Sequence, residues 1–160
     1  LREVLSATGY EHYEISNCAR PGLRAVHNSS YWTGERYLGV GPSAHSYNGS
    51  SRRSVIASLR EYIAGVGTDI IYSTEILSET DLYNEYLMTS LRRVEGVDTS
   101  ELARRFGQGR LAAFERTAAA FLDAGVMEAG RDANELLHYR IPASKFLVSD
   151  SIISAFFEVA

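Results

Sequence analysis

A chain of 160 residues holds enough material for one compact domain, or for one small domain with a piece of another. Its 45% apolar and 22% charged residues fit a packed globular protein and exclude a disordered one. The net charge is −4, with 7 basic and 7 acidic residues up to Ser78 against 9 and 13 beyond it, so the acidity of the C-terminal half disfavours a phosphate-backbone partner there.

The opening Leu1-Arg2-Glu3-Val4 is neither a signal peptide nor an initiator methionine and reads as a point inside a longer protein. No apolar run approaches the ~20 residues that cross a bilayer. The single cysteine, Cys18, excludes an internal disulfide framework and any all-cysteine cluster or zinc site built by this chain alone. A reducing, cytoplasmic setting is expected.

Leu1, Val4 and Leu5 have helical spacing and run to a glycine stop at Gly9. From Tyr10 to Ser16 polarity alternates, predicting a strand with Tyr13 and Ile15 on one face and His12 and Glu14 on the other. A second short strand is predicted over Tyr37-Leu38-Gly39-Val40-Gly41. Between them, Asn17 to Arg36 reads as a long polar and aromatic connection, of a length uncommon unless functional. Val55, Leu59, Tyr62 and Ile63 predict an amphipathic helix ended by Gly65 and Gly67, with a linker over 68–77.

Ser78-Glu79-Thr80-Asp81 is a helix-start signal, followed by an apolar face of Tyr83, Leu87, Leu91 and Val94. Asp98-Thr99-Ser100-Glu101 opens a short helix through Phe106. Leu111, Phe114, Ala118, Phe121 and Leu122 stripe a third, which stops at Gly125. Strands are predicted over Val126 to Ala129 and Glu135 to Ile141. A final helix follows Pro142, with Phe146, Ile153 and Phe157 on one face. Three helices, a hairpin and a helix are the order of a winged-helix-like domain.

Chemistry concentrates in His27-Asn28-Ser29-Ser30-Tyr31-Trp32, where an imidazole that can ligate haem iron stands beside rings that can pack on a porphyrin. On spacing alone, local packing is the commoner role of such a histidine. Gly39-Val40-Gly41-Pro42-Ser43-Ala44-His45 is either a loop approaching a ligand or a tight turn whose glycines permit unusual dihedrals. It lacks a dinucleotide fingerprint. His12 with Glu14 as an acid/base pair, and Cys18 as a nucleophile, carry little weight. Arg110 and Arg116 would mark a DNA-recognition helix, but Glu115 and Asp123 balance them.

Tyr10-Glu11-His12-Tyr13-Glu14-Ile15-Ser16-Asn17 with Ala19-Arg20-Pro21-Gly22, then His27-Asn28, Tyr31-Trp32 and Tyr37 through Ser46, resemble the oxygen-independent coproporphyrinogen III oxidase family of radical-SAM proteins. Leu91-Arg92-Arg93, Gly96-Val97-Asp98, Ala124-Gly125-Val126, and Asp150 with Ile152 and Ile153 extend the resemblance over essentially the whole chain. The HNxxYW pattern is that of the family's haem-chaperone (HemW-like) branch.

The resemblance implies an α/β plus α+β fold. Residues 1–67 would be the end of a partial (β/α) radical-SAM barrel, 68–77 a linker, and 78–160 a mainly helical winged-helix-like C-terminal domain. It implies His27 as the haem-iron ligand, with Asn28, Tyr31 and Trp32 around it. Ala19 and His45 match positions that contact S-adenosylmethionine, and Gly39 and Gly41 are expected to bind it with them.

The CxxxCxxC motif that holds the family's [4Fe–4S] cluster is absent, and Cys18 stands where tyrosine is common. The chain by itself is therefore expected to be catalytically inactive. Its longer parent is expected to bind S-adenosylmethionine and the cluster, and to pass haem to haem-accepting proteins. The alternatives are oxidative decarboxylation of coproporphyrinogen III, or a non-catalytic winged-helix interaction module. No nucleic acid is expected as partner, whereas the apolar strand edges of residues 1–50 suit pairing with a second copy.

Overall fold

The computed structural model describes residues 2–159. They form two compact units, one built from the residues up to Thr33 together with those from Tyr83 onward, the other from Gly34–Leu82.

In the first unit α1 (Arg2–Ala7) ends at Gly9, whose φ of +84° is the left-handed stop read from the sequence; Leu1 lies outside the described residues. The predicted strand over Tyr10 to Ser16 is shorter: β1 (Glu11–His12) pairs antiparallel with β2 (Cys18–Ala19). The alternation fails at Glu14, which is fully buried alongside Tyr13. Its carboxylate accepts hydrogen bonds from the Ser16 N–H at 2.9 Å and from the Asn17 side-chain amide, folding the chain into a turn. Tyr13 to Ile15 instead lie against Arg92 to Val94, with Ile15 N–H donating to Arg92 O at 3.1 Å and Val94 N–H to Tyr13 O at 3.1 Å. The connection expected over 17–36 contains β2 and a helix, α2 (Val26–Trp32).

The second unit is an antiparallel sheet in the order β3 (His45–Tyr47), β4 (Ser51–Val55), β5 (Tyr72–Ile76), with α3 (Leu59–Gly65) between β4 and β5. Three expectations are corrected here. Tyr37 to Gly41 is no strand beyond a single bridge from Tyr37 to Tyr47. Val55 belongs to β4, because Ser58 caps the helix by accepting from the Glu61 N–H at 3.3 Å and so sets its start at Leu59. The stretch 68–77 is not a linker: a 3₁₀ turn (Asp69–Ile71) leads into β5, which pairs with β4 along its whole length.

Next, α4 (Glu79–Leu91) starts at the signal read from the sequence, since Ser78 N–H donates to the Asp81 carboxylate at 2.9 Å and Asp81 N–H to Ser78 Oγ at 3.1 Å. β6 (Val97–Asp98) leads into α5 (Thr99–Phe106), and α6 (Gln108–Asp123) ends before Gly125 at φ +66°. β7 (Glu128–Arg131) and β8 (Leu137–Arg140) form the expected hairpin, and β6 adds a third strand beside β8. The helix expected after Pro142 divides into a 3₁₀ segment (Ala143–Val148) and α7 (Ser149–Ser154).

Every strand pairing among the described residues is antiparallel, so the expected barrel strands do not appear as a parallel sheet. The first unit's core gathers Tyr83, Leu87 and Leu91 of α4, Leu102 of α5, Phe114 and Ala118 of α6, and Ile141, Phe146, Ile152, Ile153 and Phe156. Burial of each large apolar side chain contributes about 1.5–3 kcal/mol, and this cluster is what the helical periodicity of residues 83–122 encodes. Phe157, predicted on the buried face, is 38% exposed. Arg110 of α6 is turned to an internal partner, with Nη2 2.9 Å from the Glu158 carboxylate. Among the described residues no helix is long and apolar enough to cross a membrane.

Candidate functional site

The seven residues of α2 carry His27, Asn28, Tyr31 and Trp32, and none of the seven is buried. A helix this short is marginal unless anchored. Here Ser29 N–H donates to Ala25 O at 2.9 Å, Ser30 Oγ to His27 O at 2.8 Å, and Thr33 N–H to Ser29 O at 3.1 Å.

The four residues fall into two pairs four positions apart, each on one face of the helix. His27 and Tyr31 form the exposed pair: Tyr31 Oη and His27 Nε2 are 3.3 Å apart, and the rings meet edge to face at 5.1 Å and 83°. Asn28 and Trp32 are the half-buried pair. The Arg92 guanidinium stands over the Trp32 ring at 5.5 Å, and Arg92 Nη1 lies 3.6 Å from Asp150. Trp32 is thus an anchor for α2, whereas His27 and Tyr31 are its presented groups. An exposed imidazole beside a phenol can offer nitrogen or oxygen to a metal.

The approach to α2 is fixed by Arg24, which sequence reasoning missed. Its guanidinium reaches Glu95 at 2.6 Å and Glu11 at 3.4 Å, and lies over the Tyr13 ring at 5.1 Å. The hydrogen bond to Glu95 is the main reason its pKa is raised. Arg24 and Glu95 stand 71 positions apart, so no local pattern signals the contact.

The residues matched to S-adenosylmethionine contacts are divided between the units. Ala19 is buried on β2 opposite Glu11 in the first. Gly39, Gly41 and His45 lie in the second. A Cβ at Gly39 would fall 2.1 Å from the His45 carbonyl oxygen, and Gly39 N–H donates to Ser46 Oγ at 3.0 Å. The close approach that Gly39 permits is therefore to the chain's own backbone. Gly41 has φ +101° with open space around it, and His45 is exposed on β3 opposite Ser54. Cys18 is free, and among the described residues no three His, Cys, Asp or Glu side chains are grouped to hold a metal.

A family model described as the HemN C-terminal domain matches residues 77–132. The chain is 30% identical over 106 residues to a protein of Lactococcus lactis named heme chaperone HemW, covering 66% of this chain and 28% of that one. It is 29% identical over 137 residues to the HemW of Bacillus subtilis, covering 84% of this chain and 36% of that protein. The chain thus spans about a third of these relatives' length. Among solved structures, the coproporphyrinogen III oxidase (HemN) of Escherichia coli, a radical-SAM enzyme, shares the fold with a TM-score of 0.68 at 18% identity, over 96% of this chain and 38% of that one. Residues 77–132 thus carry the HemN C-terminal domain, and over most of its length the chain is similar to part of the proteins named HemW and shares the fold of part of HemN.

Proposed function

We propose that this chain provides the haem-presenting surface of a radical-SAM haem chaperone, with His27 as the iron ligand and haem as cargo passed on to haem-accepting proteins. The observation that carries this reading is the exposed His27–Tyr31 pair on a helix with no fully buried residue. A side chain that must hand over its cargo belongs on such a surface, because release then requires no opening of a core. Trp32 holds the helix in place, with Asn28 half-buried on the same face, and Tyr31 sets the imidazole's orientation.

S-adenosylmethionine and a [4Fe–4S] cluster belong to this proposal as cofactors of the longer protein, where the cluster would supply radical chemistry. With one cysteine, this chain furnishes no three-thiolate set. Ala19 in the first unit, and Gly41 and His45 in the second, remain the candidate contacts to S-adenosylmethionine, and Gly39 maintains the turn against the His45 backbone. We read residues 1–67 as the closing part of the barrel. The three-helix, hairpin and helix arrangement of residues 79–154 suits a winged-helix-like domain that supports this surface, in a cytoplasmic protein.

Titrating haem into the 160-residue chain and its His27→Ala variant, with visible absorbance as readout and circular dichroism to confirm folding, tests the reading. A histidine-type Soret shift that the variant lacks is the expected result. Identical spectra for the two proteins would remove His27 from the site.

A further inference from the structure

Resting on the haem reading above, we infer that the turn before α2 is the porphyrin's seat: Leu23 and Val26 cover the apolar ring and Arg20 receives a propionate carboxylate.

Leu23 is 71% and Val26 83% exposed, although each would gain about 1.5–3 kcal/mol from full burial. With Tyr31, 42% exposed, they place three large apolar side chains within nine residues that also carry His27. The segment is compact, since Gly22 turns the chain at φ +76° and Leu23 N–H donates to Arg20 O at 2.9 Å.

Two arginines flank Leu23 in this segment, and their surroundings differ. Arg24 is held by Glu95 and Glu11. Arg20 is exposed, rests its guanidinium on the Tyr10 ring at 5.5 Å, and among the described residues meets no carboxylate. A guanidinium that meets no carboxylate among the described residues, in one short turn and helix start with the exposed Leu23 and Val26 and the His27 imidazole, matches a ligand that is flat, apolar and carboxylated. That combination is the chemistry of a propionate-bearing tetrapyrrole, and it selects such a ligand over an uncharged porphyrin.

The test compares haem with haem dimethyl ester, whose propionates are neutral, on the 160-residue chain, Arg20→Gln, and the double variant Leu23→Ser/Val26→Ser. Substitutions at such exposed positions leave the core intact. Arg20→Gln is expected to weaken haem about fivefold, as for one partly exposed charge-assisted hydrogen bond, while leaving the ester's affinity unchanged. The double variant is expected to weaken both ligands. Equal haem affinity for Arg20→Gln and the unaltered chain, or undiminished binding of both ligands by the double variant, overturns the inference and leaves the His27 reading standing. Failure of the unaltered chain to bind either ligand overturns both.

Discussion

Tyr31 Oη lies 3.3 Å from His27 Nε2, so the imidazole nitrogen that faces the next helical turn is already engaged by a phenol. A metal bound at Nε2 must displace that contact, which costs about 1 kcal/mol for a neutral hydrogen bond. Tyr31→Phe keeps the ring and removes the hydroxyl. Ferric haem affinity is expected to rise by up to about fivefold in this variant with the histidine-type spectrum retained. A weaker complex, measured by the same titration, would show that the phenol itself contributes to holding the haem.

Helix positions in the C-terminal part were legible because each rests on local chemistry. Ser78 with Asp81, Asp98 with Ser100 and Glu101, and Gly125 are caps written within four residues of the elements they bound. The N-terminal part was harder to read. Glu14 breaks the polar alternation because its turn is closed by Ser16 and Asn17, and its segment lies against Arg92 to Val94, far along the chain. The residues of α2 were legible as a motif, but their division into an exposed and a half-buried pair required the helix, which the polar composition of residues 17–36 concealed. Arg24 and Arg92 act through partners 71 and 58–60 positions away, beyond any local pattern.

Asp98 caps α5, accepting from the N–H groups of Ser100 at 2.8 Å and Glu101 at 3.2 Å. Burial opposes its charge, but these hydrogen bonds, the Ser100 hydroxyl and nearby His138 hold its pKa below the usual carboxylate value of 3.8. A depressed folded-state pKa makes the contribution complete above the unfolded value and lost as pH falls through the folded one. Asp98→Ala is therefore expected to lower the unfolding free energy by about 1 kcal/mol at pH 7. The loss should shrink as pH drops below ~3.8. Urea midpoints at pH 7 and pH 3 check both statements, and an equal loss at both would exclude the charged cap.

At Gly39 the backbone of His45 leaves no room for a side chain, since a Cβ would sit 2.1 Å from the carbonyl oxygen. Gly39→Ala must shift backbone rather than the end of a flexible side chain, which costs about 1–3 kcal/mol. Gly34→Ala is the control: unlike Gly39 it has a positive φ, +71°, but nothing lies within 4 Å of its Cβ. Its penalty should therefore be that of the dihedral alone, about 1–2 kcal/mol. Hydrogen exchange of the β3 and β4 amides is expected to accelerate in Gly39→Ala and to remain near normal in Gly34→Ala.

Tyr86 packs against Phe106 at a ring separation of 5.5 Å and donates its hydroxyl to Asp98 O at 3.2 Å. Burial, reinforced by the Asp98 charge, pushes its pKa up to about 12 from the usual 10.0. The folded state thus keeps a proton that the unfolded chain releases first. Between the two values the unfolded state binds fewer protons, so stability must fall as pH rises. Denaturant titrations from pH 9 to pH 12 are expected to show this decline in the unaltered chain. Tyr86→Phe, which retains the ring, should lose the decline attributable to this phenol while paying a constant cost of about 1 kcal/mol for the missing hydrogen bond. A slope unchanged by the substitution would mean that Tyr86 titrates alike in both states.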